Sequence, residues 1–349
     1  IKREITGDRG NIYDRNGESL ASTINKYTFW VNTKKRFDKN KIASIFSNEF
    51  KENKKKYIQL LNQKKSYLKL TNAIPRIQCD RILAQIKNID GLYCDVSKQR
   101  YYPYDNLSSQ VVGYVDRDYK GQFGIEHHFN SILNGKTSLI TFNRAANGKI
   151  RKSLHNQNEI VKNGLDIFIT IDIQIQSILV EALNRGLKKS GAYSANGIIV
   201  DPYNGDILAM ASIPDFNPNN YEQYDIMTFN NRVISDAYEP GSTFKLISMT
   251  AILESGLYDS NDLINCENGK YQIIPTKQFQ DHEPHGELSI SDIFIHSSNI
   301  GIIKAIENVG VGYLYEYARK FGFGIKSGID LPAETGGVLR PYKEWSRLS

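Results

Sequence analysis

Apolar side chains recur along the chain with two different periods. Residues 41–61 and 76–89 repeat them with the period of a helix, and each segment is predicted to be helical. Asn16-Gly17 lies between two alternating runs, and this dipeptide is a strong short-range signal for a β-hairpin. Short strands separated by glycine turns are predicted in three further runs, residues 100–103, 111–114 and 121–126.

The pattern changes near Lys162-Asn163-Gly164, and we place a domain boundary there, giving segments 1–163 and 164–349. Residues 165–170 are predicted to form a strand, and Asp172 is suited to cap the helix that follows. A second hairpin is predicted from residues 195–200 and 206–212. The apolar side chains expected on one face of the helix are Ile175, Ile178, Leu179, Ala182, Leu183 and Leu187.

One later segment, residues 246–253, leaves no polar face and predicts a buried helix closed by Gly256. It follows the run Glu239-Pro240-Gly241-Ser242-Thr243-Phe244-Lys245. Ser242 falls at the first turn, where free backbone N–H groups and the helix dipole favour developing negative charge. Lys245 follows on the same helical face, and an apolar setting lowers the pKa of its amine. The arrangement predicts a serine nucleophile activated by a lysine.

The Ser-x-x-Lys spacing is weak evidence by itself. Ser66-Tyr67-Leu68-Lys69 has the same spacing in a polar, lysine-rich segment without a preceding turn, and we predict ordinary surface there. For Ser242 the simpler interpretation is a helix-capping serine beside a surface lysine. The choice between the two interpretations depends on the motifs that accompany Ser242.

Residues 239–245 resemble the nucleophile motif of the penicillin-binding proteins, serine enzymes that cross-link peptidoglycan. The resemblance covers almost the whole chain and is closest to the class B, division-type enzymes. Residues 8–21 resemble the opening motif of the class B non-catalytic domain. The family implies an α+β fold: an extended N-terminal pedestal, residues 1–163, and a transpeptidase domain of antiparallel sheet and helices, residues 164–349, of which this chain carries only the N-terminal part.

A second motif follows a short predicted helix at residues 291–296. Ser297-Ser298-Asn299 resembles the Ser-x-Asn motif of the family, and elongation-type relatives usually carry Ser-Cys-Asp there. The resemblance implies that Ser297 passes a proton between Lys245 and the leaving amine. It also implies that Asn299 orients the lysine and binds a substrate amide.

The third family motif is Lys-Thr-Gly or Lys-Ser-Gly on an edge strand. Lys189-Ser190-Gly191 ends a predicted helix before the nucleophile, and Lys326-Ser327-Gly328 lies in a loop rich in glycine and proline. Neither has the expected context. We therefore expect the true motif beyond Ser349, and expect the piece that ends there to lack full activity.

No cofactor or metal is predicted. His282-Glu283-Pro284-His285 departs from the His-Glu-x-x-His spacing of zinc enzymes, and Pro284 breaks a helix. Cys79, Cys94 and Cys266 fit neither a disulfide framework nor a metal-ligand spacing.

Charge is distributed unevenly along the chain. Residues 1–100 hold 22 Lys and Arg against 10 Asp and Glu, whereas the rest of the chain has a net negative charge. The lysines lack an aromatic stacking pattern, so nucleic-acid binding is not predicted. A solvated surface is the favoured interpretation, with proximity to an anionic membrane as the second.

The resemblance implies a serine-type D,D-transpeptidase that acts on D-Ala-D-Ala stem peptides in septal cell-wall synthesis and is trapped by β-lactams. It implies a glycan-polymerising enzyme and other division proteins as partners. It also implies a single-pass anchor in the inner membrane upstream of Ile1, with the catalytic domain on the extracytoplasmic side. Two alternatives stay open: a non-catalytic scaffold of the division machinery, and a penicillin sensor or β-lactamase of the same superfamily.

Overall fold

The computed structural model of the chain describes residues 2–86, 89–144, 150–152, 161–274 and 277–346. The chain combines helices with predominantly antiparallel sheets, which confirms the α+β class. Residues up to Asn231 form one compact unit, and residues from Arg232 form another. Strand β8 (Ile167–Phe168), which follows the boundary placed near residue 163, pairs with β2 (Ile12–Tyr13) in the first unit. The boundary near residue 163 stays a prediction.

The first unit contains ten strands and seven α-helices within the described residues. The strands are β1 Lys2–Thr6, β2 Ile12–Tyr13, β3 Ser19–Asn32, β4 Tyr67–Lys69, β5 Leu92–Tyr101, β6 Thr137–Arg144, β7 Ile150–Lys152, β8 Ile167–Phe168, β9 Ala195–Val200 and β10 Ile207–Ile213. The helices are α1 Lys39–Phe50, α2 Lys54–Leu61, α3 Arg76–Gln85, α4 Ser109–Val112, α5 Gly124–His128, α6 Asn130–Leu133 and α7 Ile173–Ser190.

The long strand β3 organises the first part of this unit. It pairs with β2, β4 and β5 in a five-stranded sheet, and β8 joins the sheet in parallel with β2. The turn between β2 and β3 confirms the hairpin predicted from Asn16-Gly17. Buried Asp14 closes this turn, since its carboxylate accepts the backbone N–H groups of Asn16 and Glu18 at 2.8 Å each.

Helices α1, α2 and α3 contribute side chains to a core shared with β3. Phe29 of β3 meets Phe46 of α1 edge to face, with ring centroids 5.5 Å apart. Tyr57 of α2 and Ile82 of α3 are buried in the same cluster. Asp38 and Asn53 begin α1 and α2 by accepting backbone N–H groups of the first turn.

Three segments that the sequence singled out separately meet at Glu126, which is fully buried. Its carboxylate accepts from Arg9 at 2.6 Å and from Arg100 at 2.7 Å. Both guanidinium groups are also buried. If one of the three segments moved away, a buried charge would lose its partner, which costs free energy. The ion pairs therefore favour one relative position of the three segments.

Two of the predicted short strands are wrong. Half of residues 111–114 lie on α4 and half of residues 121–126 lie on α5, and neither run belongs to a strand. An isolated bridge joins Val115 to Gly121. Gly113 and Gly124 have φ values of 80° and 57°, so the glycines turn the chain between short helices. The prediction at residues 100–103 is confirmed in part, because Arg100 and Tyr101 end strand β5.

Helix α7 begins after Asp172, which accepts the N–H groups of Gln174 and Ile175, and the β9–β10 hairpin follows it, both as predicted. The predicted apolar face is wrong in part: Ile178 is 63% exposed. An amide anchors the helix instead. Buried Gln176 donates to the carbonyl of Met210 at 2.9 Å and accepts its N–H at 2.8 Å, which fixes α7 to β10.

The second unit, in its described part, combines five α-helices with two small two-stranded sheets. The helices are α8 Arg232–Ser235, α9 Lys245–Glu254, α10 Ile290–Ile295, α11 Asn299–Val309 and α12 Val311–Lys320. The strands are β11 Leu263–Asn265, β12 Lys270–Ile274, β13 Lys277–Gln280 and β14 Glu287–Ser289, paired β11–β14 and β12–β13. Its core brings Ile252 of α9 together with Ile293 of α10 and Ile300 of α11.

Across the described ranges, every helix is too short or too polar to cross a membrane.

Candidate active site

Ser242 lies in a single 3-10 turn, Gly241–Phe244, that leads directly into α9. Thr243 Oγ1 donates to the carbonyl of Pro240 at 2.6 Å and stabilises the entry to this turn. The N–H of Lys245 bonds to the carbonyl of Ser242, so the two residues are one turn apart. Ser242 is exposed, whereas Lys245 is half-buried.

Helix α9 is buried on one side only. Ile247, Met249 and Ile252 are buried, but Leu246 is 52% exposed and Leu253 is 43% exposed. The sequence predicts a buried helix, and in this chain α9 packs into the second unit's core through one face and leaves the other face exposed. Its end was predicted correctly, since the helix stops at Glu254 and Gly256 follows with a φ of 68°.

The Lys245 amine is held at Ser297. Its Nζ donates to Ser297 Oγ at 3.0 Å and also to the carbonyl oxygen of the same residue. Desolvation lowers the pKa of Lys245, and the nearby negative charge of Asp281 acts in the opposite direction. A lowered pKa, expected from the apolar sequence context, gives the amine the chemistry of a base.

Ser297 presents both of its oxygens to Lys245 because of its backbone conformation. It lies between helices α10 and α11 with a φ of 55°, in the left-handed region. For a residue other than glycine this conformation costs roughly 1–2 kcal/mol. Left-handed backbone of this kind often accompanies functional sites.

Asp281 fixes the chain on the other side of Ser297. Its carboxylate accepts the backbone N–H of Asn299 at 2.6 Å and that of Ile300 at 3.1 Å. It also accepts the Ser298 hydroxyl at 2.5 Å. Ser298 is 1% exposed, and its Oγ accepts the N–H of Gly301 at 3.0 Å. Two side chains therefore cap the start of α11 together.

Sequence reasoning missed Asp281 and assigned no role to Ser298. Ser298 had a local signal, since a serine directly before an apolar helical run is a typical N-cap. Asp281 had none, because its partners lie far along the chain and meet it only in the folded unit. The Asn299 side chain donates to the carbonyl of Gln280 at 3.0 Å. Asn299 is thus tied to the end of β13, and its predicted role in orienting Lys245 stays untested.

The structure also shows where the residues lie whose sequences resemble the family motifs without the expected context. Ser66 directly precedes strand β4, so the alternation of a strand puts its side chain and that of Lys69 on opposite faces. Lys326 lies outside any strand, in a loop where the Ser327 hydroxyl donates to Glu334 at 2.6 Å. Lys189 is exposed near the end of α7. None of them has the context of a site residue.

Comparison with known proteins gives the family. Residues 4–168 match the penicillin-binding protein dimerisation domain, and residues 196–349 match the penicillin binding protein transpeptidase domain. The chain is 31% identical over 346 residues to the probable peptidoglycan D,D-transpeptidase PbpC of Pseudomonas aeruginosa, covering 98% of this chain and 60% of that protein. It is 29% identical over 340 residues to stage V sporulation protein D of Bacillus subtilis, covering 96% of this chain and 52% of that protein.

Among solved structures, penicillin-binding protein 2X of Streptococcus thermophilus has the same fold. The TM-score is 0.78 at 21% identity, covering 97% of this chain and 55% of that one. The chain therefore belongs to the penicillin-binding proteins, with the dimerisation and transpeptidase domains of the class B members. It spans 60% or less of the length of the two curated relatives described above.

Proposed function

We propose that this protein is a peptidoglycan D,D-transpeptidase with Ser242 as its nucleophile. The observation that carries the proposal is the Lys245 amine, which has a lowered pKa and lies 3.0 Å from Ser297 Oγ. Ser242 precedes Lys245 by one helical turn and is exposed. The name of the Pseudomonas aeruginosa relative supports the same reaction.

The first half-reaction forms an acyl-enzyme. Neutral Lys245 takes the proton of Ser242, whose Oγ attacks the D-Ala-D-Ala carbonyl of a stem peptide. Negative charge then develops on the carbonyl oxygen. The backbone N–H of Ser242, at the start of the turn into α9, is one donor placed to stabilise it.

D-Ala leaves as the acyl-enzyme forms, because its peptide bond breaks in that step, and the second half-reaction then forms the cross-link. Lys245 contacts Ser297, so the proton can pass through the Ser297 hydroxyl to the leaving amine. An amine of a neighbouring stem peptide then attacks the ester and restores Ser242. Asn299 is exposed and uses one donor on Gln280, which, as far as the described residues extend, leaves its amide oxygen for a substrate N–H.

Membership of the family supports the cellular setting that we propose. Ser297-Ser298-Asn299 favours the division type, and hence a role in septal wall synthesis with β-lactams as inhibitors. We assign as partners a glycan-polymerising enzyme and other division proteins. We assign the protein to the inner membrane, held by a single-pass anchor with the transpeptidase domain outside the cytoplasm.

Fluorescent penicillin tests the nucleophile. The protein purified at its natural length is expected to form a covalent adduct that maps to Ser242. Ser242→Ala is expected to abolish the adduct, and Ser66→Ala, the matched control with the same spacing, is expected to retain it. An adduct that survives in Ser242→Ala overturns the assignment.

The lifetime of the same penicilloyl adduct distinguishes a transpeptidase from the alternative functions. A transpeptidase keeps the penicilloyl ester for much longer than a β-lactamase, which hydrolyses it rapidly because it carries a deacylating base. A penicillin sensor also keeps the ester but does not cross-link stem peptides. Absence of any adduct in the native protein would favour the non-catalytic scaffold.

A further inference from the structure

Three side chains capable of binding a metal converge beside the candidate active site. They are Glu283 and His285, on the loop between β13 and β14, and His296, which directly follows α10. One ligand atom from each lies within 4.8 Å of the others. His285 Nε2 is 3.8 Å from a carboxylate oxygen of Glu283, and the two imidazole rings have centroids 4.6 Å apart.

A second observation points to a missing ligand. The Nε2 atom of His285 is buried and has no hydrogen-bond partner among the described residues. Buried polar atoms in folded proteins are nearly always satisfied, and an exception is explained by an unseen water or ion. Here the unsatisfied nitrogen belongs to the same cluster as an imidazole and a carboxylate.

We propose that Glu283, His285 and His296 bind a transition-metal ion of the Zn²⁺ class. Two imidazoles and one carboxylate form a ligand set that suits Zn²⁺ and leaves a fourth position for water. Tetrahedral zinc with ligands at about 2.0–2.1 Å needs ligand atoms roughly 3.4 Å apart. Glu283 and His296 are exposed, so rotation of these side chains brings the ligand atoms closer without moving the core.

This site departs from the expectation drawn from sequence, and the reason is tertiary. The spacing of His282-Glu283-Pro284-His285 does not form a metal motif on a helix. The third ligand comes from His296, at the end of a different element, and no local pattern connects it with the loop. His282 does not belong to the cluster.

The proposed metal site lies next to the residues that position the Ser-Ser-Asn motif. The ligand loop directly follows Asp281, which holds the start of α11, and His296 directly precedes Ser297. One bound ion therefore joins the loop that follows Asp281 to the segment that carries the Ser-Ser-Asn motif. Metal binding stiffens this part of the second unit.

Calorimetric titration with ZnCl₂ tests the proposal on chelator-treated protein of natural length. The native protein is expected to bind one Zn²⁺ and to gain thermal stability. His296→Ala and His285→Ala are expected to weaken binding by at least about 100-fold, since loss of a second-shell partner alone costs 10–100-fold. His282→Ala, the matched control, is expected to bind like the native protein.

Two further measurements distinguish loss of the metal site from loss of the fold. Circular dichroism without metal verifies that each variant is folded, and the visible absorption of Co²⁺-loaded protein reports tetrahedral coordination. Absence of a stoichiometric site, or equal binding by native protein and both histidine variants, overturns the proposal. Neither readout uses penicillin or peptidoglycan, so the result is independent of the proposed transpeptidase activity.

Discussion

The Asp281 carboxylate accepts the backbone N–H of Asn299 at 2.6 Å. It is also the negative charge that opposes the lowering of the Lys245 pKa. One side chain therefore acts on both halves of the candidate site: it orders the start of α11 and tunes the proposed base.

Replacing Asp281 separates these two effects. Asp281→Asn removes the charge that raises the pKa of Lys245, so the neutral amine becomes more abundant at a given pH. The rising limb of the acylation rate against pH is expected to move to lower pH. Asp281→Ala also removes the caps and is expected to reduce the free energy of unfolding by about 1–3 kcal/mol. A limb that stays in place in Asp281→Asn would contradict the electrostatic role.

Lys245 itself sets the pH dependence of the native protein. The amine acts as a base only when neutral, and its folded pKa lies below the ordinary value of 10.5. The rate of penicillin acylation is therefore expected to rise with pH with a midpoint below pH 10.5, as stopped-flow fluorescence can measure.

Variants of lysine provide the control. Lys245→Ala is expected to abolish acylation, and Lys245→Arg is expected to do the same because a guanidinium does not deprotonate. Lys326→Ala removes the lysine of the Lys-Ser-Gly look-alike and is expected to leave the rate unchanged. Native rates in Lys245→Arg would show that another base operates.

The second motif offers a comparison between neighbouring positions. Ser297→Ala and Asn299→Ala are expected to slow acylation by roughly 10²–10⁴-fold, as for loss of a proton-transfer or positioning group. Ser298→Ala is expected instead to lower the free energy of unfolding by about 0.5–2 kcal/mol, because it removes a helix cap. If Ser298→Ala slowed acylation most, the assignment of roles within the motif would be wrong.

The backbone of Ser297 gives a sharper control. Ser297→Gly removes the same hydroxyl as Ser297→Ala but relieves the left-handed conformation. Both variants are expected to acylate slowly, whereas Ser297→Gly is expected to be the more stable in urea. Equal stability would show that the left-handed backbone carries no strain.

The buried charges of the first unit predict a large effect on folding. Glu126→Gln leaves two buried arginines without a carboxylate and is expected to cost about 3–5 kcal/mol in the free energy of unfolding. Glu222→Gln removes the exposed partner of Arg117 and is expected to leave stability unchanged. Urea titration followed by fluorescence compares them, and a small effect of Glu126→Gln would mean that water enters the site.

Features that depend on a few consecutive residues could be predicted from the sequence. Asn16-Gly17 turns the first hairpin, Asp172 caps α7, and Gly256 follows the end of α9, because each signal acts through its own backbone. The spacing of Ser242 and Lys245 belongs here too, since one helical turn brings these residues together regardless of the rest of the fold.

Features that depend on contacts between distant residues were decided by the tertiary structure. Asp281 reaches Asn299, His296 joins Glu283, and Glu126 receives arginines from two other segments. The exposure of Leu246 was settled in the same way, by which face of α9 found a partner. The sequence shows which side chains are apolar or charged. Whether such a side chain becomes buried or paired depends on the residues that the fold brings into contact with it, and the local sequence does not contain that information.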